Sequence, residues 1–221
     1  MTNSTEPWVQ RLRDGATADR RPVLLGAGIA TAVGVLVLVA EFAFPDFLRG
    51  VESARTQTSL VFWPVILVAI GGLLALSMWS AGRSDRRTMA RIRRHRAPRL
   101  HLPVFASGLR TTDDFPEPRP EIWTVDEAGL HAWAPSRDEP VFDLPWSGVR
   151  DVDVATKDQK GQRVDFGIWI STTDRRDVVL QPRQAIGHGI EAGPAKLAVL
   201  VDELRSLRRE LDPGFGERGR R

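Results

Sequence analysis

At 221 residues the chain has room for one domain of ordinary size and a smaller element beside it. It contains no cysteine, which excludes structural disulfides, thiolate chemistry and cysteine-based zinc sites. A formal charge of +3 and a pI near 10.1 point toward nucleic acid, but the excess has one source: residues 1–81 are balanced, residues 82–101 carry eight Arg against Asp85 alone, and residues 102–221 carry 17 basic against 21 acidic side chains, so the candidate folded domain is mildly acidic and no nucleic-acid partner is expected.

Residues 1–22 read as a short N-terminal segment. From residue 23 to residue 40 the chain runs 18 residues without a charge, and Phe42, Ala43 and Phe44 extend the apolar stretch past Glu41. At about 1.5 Å per residue this reaches roughly 30 Å, the thickness of a bilayer's hydrocarbon core, and a first transmembrane helix is expected over 23–44. After an external loop over 45–59, a second span is expected over 60–81, inside an uncharged run of 27 residues with Trp63 and Trp79 near its ends, where interfacial aromatics belong. A pair of buried globular helices needs far fewer uncharged residues, and a signal peptide would be shorter and end in a small-x-small cleavage site. Arg11, Arg13, Arg20 and Arg21 precede the first span, Arg49 and Arg55 lie in the loop, and eight arginines follow the second. The positive-inside rule then places both termini and everything after residue 81 on the cytoplasmic side of the cell membrane. Gly26, Ala30 and Gly34 recur at four-residue spacing and would let another helix approach closely, although small residues are common in membrane helices for no specific reason. Glu41 is better read as an interfacial carboxylate than as an ion site.

Residues 82–101 form a basic juxtamembrane segment. It is good helix-forming material as far as Pro98, with Met89 and Ile92 spaced i, i+3, and is expected to continue the second helix. Arg83, Arg86, Arg87, Arg91, Arg93, Arg94, Arg96 and Arg99 fix topology by their charge alone; they are also the candidate contacts to anionic lipid headgroups, each worth around 1 kcal/mol at a membrane surface.

Pro103, Pro116, Pro118 and Pro120 mark residues 102–120 as a linker, with a possible first strand near 104–106. Strand signals follow at 121–125 and 130–134 around the turn Asp126, Glu127, Ala128, Gly129, then at 141–144 and 149–155. Beyond a polar loop over 156–163, strands at 164–171 and 177–180 flank a turn at 173–176. This is an antiparallel meander. One helix closes the domain over 121–212: Gly193 and Pro194 start it, Leu197, Leu200, Val201, Leu204, Leu207 and Leu211 form its apolar face, and Glu203, Arg205, Arg209 and Glu210 are assigned to the opposite face. Residues 213–221 are a tail.

The turn ending in Gly129-Leu130, the run Leu144-Pro145-Trp146-Ser147-Gly148-Val149 leading into a strand, the following hairpin and the terminal amphipathic helix resemble the bacterial pleckstrin-homology-like domains that follow paired membrane helices. The resemblance covers about residues 104–211. It implies a strongly bent antiparallel sheet of about seven strands capped at one end by the helix, so a further strand is required from residues 102–112. It also implies a binding scaffold rather than an enzyme. Inositide-binding relatives use basic residues in their first hairpin loop, and the acidic Asp126–Gly129 turn argues against that mode.

Signs of catalysis are lacking. His95, His101, His131 and His188 stand at no metal-ligand spacing, and neither a nucleophile elbow nor a phosphate-binding glycine loop is present. His188, between two glycines, reads as an exposed loop residue, and Asp151 and Asp153 read as a solvated strand face before they read as a cation site. Trp123, Trp133, Trp146 and Trp169 must supply part of the core; any that is exposed is a candidate protein-interface anchor. The reading is therefore an α+β membrane protein, a two-helix hairpin plus a pleckstrin-homology-like sheet, that binds inner-leaflet lipid and a protein partner without cofactor or metal. A structural subunit assembled through its helices is the alternative, and an enzyme the least favoured.

Overall fold

The computed structural model describes residues 6–17, 19, 21–43, 54–109, 117–212 and 214–215. The chain divides into two compact units, one comprising Asp19–Ser80 and the other Met1–Ala18 together with Ala81–Arg221.

The first unit is a helix pair. Helix α2 (Arg21–Ala43) and the first part of α3 (Ala54–His95) pack antiparallel. Among the described residues α3 is long and apolar enough to cross a membrane by length and composition, and α2 carries a shorter apolar run, Leu24–Ala40. The two backbones meet at small residues. A Cβ on Gly34 would lie 2.8 Å from Val68 Cγ2 and 2.9 Å from the Pro64 carbonyl, and one on Gly71 would strike Thr31 Oγ1 and approach the Ala27 carbonyl to 3.1 Å. The contact stripe is thus Ala27, Thr31 and Gly34. Of the residues expected to pack, Gly34 is in place and Ala30 lies at the margin, while Gly26 is exposed with open space around it. One residue per turn of difference moves the stripe because a helix advances by 100° per residue, and the four-residue spacing alone could not fix its angle. Gly34→Leu is expected to push the helices apart and lower the thermal midpoint of the detergent-solubilised chain, whereas Gly26→Leu should leave it unchanged; far-UV circular dichroism melts distinguish them. Glu41 lies in α2, but its side chain is outside the described residues.

The second unit is α+β. A seven-stranded antiparallel sheet runs in the order β4-β3-β2-β1-β7-β6-β5. Its strands are β1 (Leu100–Leu109), β2 (Ile122–Asp126), β3 (Gly129–Trp133), β4 (Phe142–Pro145), β5 (Val149–Gln159), β6 (Gln162–Thr172) and β7 (Val178–Pro182). A short 3-10 turn, Trp146–Gly148, joins β4 to β5. The C-terminal helix α4 (Pro194–Leu211) starts with Pro194 at its first turn, where a missing N–H costs nothing, and packs on β5 and β6.

Strand β1 organises the sheet. Residues 100–103 pair with β2 and residues 104–109 pair with β7, with a register shift between Val104 and Ala106 where the strand changes partner. Pro103 sits at the changeover; it has no N–H to give, and its carbonyl accepts from the Arg183 N–H at 2.8 Å. Most of this strand falls in the stretch expected to be linker, so the missing seventh strand is central rather than marginal. The first hairpin connection is then residues 110–121, largely outside the described residues, and the Asp126–Gly129 turn is the second.

The polar loop expected over 156–163 is instead the end of a long hairpin. Lys160 (φ 56°) and Gly161 (φ 80°) make a two-residue turn of the kind that matches strand twist, so both strands continue to its base. Beyond Ala155 the residues are polar on both faces, which removed the alternation a strand normally shows.

The core joins both halves of the sheet to three helical elements. Leu102, Ile122, Trp123, Ile168, Ile170 and Leu180 are fully buried, as are Leu197 and Ile92. Helix α1 (Pro7–Arg13), inside the segment expected only to lead into the membrane, sends Val9 and Leu12 into the interior and packs on β1.

Candidate interaction surface

The last turns of α3, from residue 81, are two-faced. Gly82, Asp85, Thr88, Met89 and Ile92 turn inward, at the i, i+3, i+4 and i+7 spacing of one helix face. Arg83, Arg86, Arg87, Arg93 and Arg94 are exposed, as is Arg99 beyond the helix. The only acid between residues 82 and 101 is Asp85, with no exposed surface, so the outward face carries positive charge alone.

The eight arginines do not act alike. Arg91 ion-pairs with Asp138 (3.0 Å) and donates to the Pro135 carbonyl; Arg93 donates to the Gly15 carbonyl (3.1 Å); Arg96 bonds Asp126 (2.9 Å). These three fasten the helix to its own domain, a role the sequence alone did not assign them. Arg86 donates to the Gly82 carbonyl of its own helix. Arg87, Arg94 and Arg99 present exposed guanidinium groups with no ion pair among the described residues.

Arg96 enters a polar chain on the sheet. His131 Nε2 lies 2.9 Å from Asp126 Oδ1 and 2.7 Å from Arg96 Nη1, and His131 Nδ1 bonds the Asp143 carboxylate. Burial pulls the Asp126 carboxyl upward, but the hydrogen bonds from Arg96 and His131 outweigh it and hold the group below its ordinary value. The native carboxyl thus binds its proton later than the unfolded one, so its contribution is present above the ordinary carboxylate pKa and is lost as pH falls through the lowered value. Asp126→Asn is expected to lower the urea midpoint at pH 7, with the gap to wild type narrowing toward pH 3 in paired denaturation curves. The described residues hold no group of three or more His, Cys, Asp or Glu arranged for a metal.

A second polar cluster is fully buried and had no place in the sequence reading. Arg183, at the end of β7, pairs bidentately with Asp85 (2.6 and 3.0 Å) and donates also to the carbonyls of Val104, His188 and Glu121. The Gly187 N–H also donates to Asp85. An acid alone among arginines looks like a surface residue; its usable signal was its position on the Met89–Ile92 face of the helix.

Three of the four tryptophans leave the interface reading. Trp123, Trp133 and Trp146 are at most 3% exposed; Trp123 packs edge-on to Phe142, Trp133 donates to Thr124 Oγ1 (2.9 Å) and Trp146 to the Asp126 carbonyl (2.9 Å). Trp169 is half-buried and lies beside Asp153 and Val179 in register. His188 is buried, not an exposed loop residue. Glu203 also moves inward, with its side chain 1% exposed and Arg13 of α1 on it at 2.6 Å.

Asp151 and Asp153 are exposed as expected, and they have a structural role. Their carboxylates take the N–H groups of Val152 and Val154, each at 2.8 Å, on the free side of edge strand β5. From α4, Arg205 donates to the Val152 carbonyl and Arg208 to those of Val149 and Arg150. The edge is occupied by side chains, a standard defence against pairing with another chain.

No protein-family model, curated protein or solved structure matches this chain.

Proposed function

We propose that the protein is a membrane-anchored, non-catalytic binding module: α2 and α3 form a two-span hairpin in the cell membrane, the arginine face of α3 engages anionic headgroups of the inner leaflet, and the α+β domain meets a protein partner in the cytoplasm. The observation that carries this reading is the outward face of α3 after residue 81, where arginines follow an apolar run and the single acid is turned inside. Cations so placed attract headgroups, less strongly as salt screens them. Large apolar side chains on both helices, among them Leu25, Leu36, Phe62, Leu73 and Leu76, are well over half exposed, which suits lipid and not water. Seven antiparallel strands with a C-terminal helix support the pleckstrin-homology-like reading of the domain. Trp169 and its neighbour Val179 are the partner's docking point in this proposal. The alternative, a subunit assembled through its helices, draws on Gly26, whose surroundings are open.

The absence of native cysteine makes topology directly testable. Single cysteines at Asp46 and at Thr173, in the β6–β7 turn, are probed with an impermeant thiol reagent in intact cells. Labelling at 46 with protection at 173 is the expected pattern; the reverse pattern, or labelling of both, overturns the topology. Native mass spectrometry of the detergent-extracted chain should show retained anionic lipid that is lost when Arg87, Arg94 and Arg99 are changed together to glutamine. Equal retention would remove the headgroup role. Affinity capture with Trp169→Ala tests the partner, which should be lost with this variant and kept with Gly26→Leu.

A further inference from the structure

The N-terminal helix is held on the domain by a buried histidine that has room for only one proton. His101 lies on β1, 5% exposed, and its Nδ1 is 3.1 Å from the Leu12 carbonyl at the end of α1. A carbonyl only accepts, so Nδ1 carries the hydrogen and Nε2 is the bare nitrogen of a neutral ring. Nε2 is buried without a hydrogen-bond partner. Gly15 closes the site from the other side. It takes φ +61°, and a Cβ there would fall 2.6 Å from Met89 Cε and 2.9 Å from His101 Cε1, so the chain leaving α1 passes directly over the ring.

The described charged groups beside the ring have other partners. From α3, Arg93 reaches over to bond the Gly15 carbonyl. From α1, Arg13 is committed to Glu203 of α4, and Asp14 accepts from Gln10. From β2, the cross-strand neighbour is Thr124, whose hydroxyl accepts from Trp133. Among the described residues no carboxylate accepts a hydrogen from Nε2. A second proton would therefore put a buried, unpaired N–H and a positive charge beside the Arg93 guanidinium, and burying either without a partner is costly.

We propose that His101 makes α1 a proton-sensitive latch: with a neutral ring the helix is docked on β1 and α4, and protonation of the ring releases it, uncovering Val9, Leu12 and the surface they occupy. Burial, opposed by the carbonyls of Leu12 and Arg13 and reinforced by Arg93, holds the docked imidazole below its ordinary pKa. The freed imidazole regains its ordinary affinity for a proton near pH 6.5, so docking is fully favoured above that pH and weakens as pH falls below it. The free ring's pKa near 6.5 sets the ceiling: between pH 7.5 and 5.0 linkage can lower the docked-to-free ratio by at most about thirty-fold.

The test is hydrogen exchange of the full chain in lipid nanodiscs, read by mass spectrometry at both pH values with intrinsic rates corrected. Exchange senses opening even when the open form is rare. The expected result is a loss of protection of up to about thirty-fold confined to residues 7–16, with α4 unchanged, and no such loss in His101→Asn, whose amide can still donate to the Leu12 carbonyl. Protection in α1 that ignores pH, or that falls equally in His101→Asn, overturns the latch. A parallel carbon-13 titration of the histidine rings serves if His101→Asn does not fold. His101 should titrate below 6.5, and titration at or above that value overturns the proposal on its own.

Discussion

Asp85→Ala is expected to destabilise the α+β unit by about 3–5 kcal/mol, the effect of breaking a buried ion pair by removing one partner. The loss is large because Arg183 cannot escape. Its guanidinium is 5% exposed and aimed at Asp85 and at three backbone carbonyls, so alanine leaves a buried cation with only dipoles around it. The Gly187 N–H loses its acceptor as well. Chemical denaturation followed by tryptophan fluorescence reads this directly, since Trp123, Trp133 and Trp146 lie in the same core. A double variant, Asp85→Leu with Arg183→Met, is expected to be less damaged than Asp85→Ala, because it removes both charges. A double variant as unstable as the single would show that Arg183 matters chiefly as a donor to carbonyls and not as a counter-ion.

The second large effect is expected at Gly129. This residue opens β3 with φ +143°, a conformation that side-chain-bearing residues rarely adopt, and it pairs across to Pro145. A Cβ there would collide with the Leu144 carbonyl and sit 2.8 Å from Pro145 Cα. Both obstacles are backbone, and neither can rotate away. Gly129→Ala should therefore cost about 2–4 kcal/mol from backbone strain and overpacking combined. The same measurement on Gly161→Ala provides the comparison: φ is also positive, at 80°, but nothing stands within 4 Å, so strain acts without a clash and the loss should be clearly smaller.

What could be read from the sequence follows from which signals are local. The apolar face of α4 was legible because five of its six marked residues, Leu197 to Leu207, recur at helical spacing and are all buried. The hairpin around Gly129 was legible because alternating strands flank a recognisable turn. Strand β1 was hidden by its prolines and by pairing with two partners far along the chain, neither of which leaves a local mark. The extended β5–β6 hairpin was hidden because a ladder solvated on both faces has no reason to alternate. Glu203 was assigned outward because a carboxylate is normally solvated, and only the presence of Arg13 reverses that. The candidate surface was half legible. Charge counting located the arginine segment, but which arginines face outward depends on the helix register against the sheet, and the Asp85–Arg183 pair spans 98 residues.

The pairing of Arg13 with Glu203 has a consequence for how the chain is made. The partners are 190 residues apart, so α1 must wait for α4, which is made much later. At the usual 5–20 residues per second the interval is roughly 10–40 s, during which Val9 and Leu12 lack α4 throughout and lack β1 for about the first half. Strand β1 waits in the same way for β7. The α+β unit cannot be completed before α4 has been made, and its closure is expected to be a late event in folding.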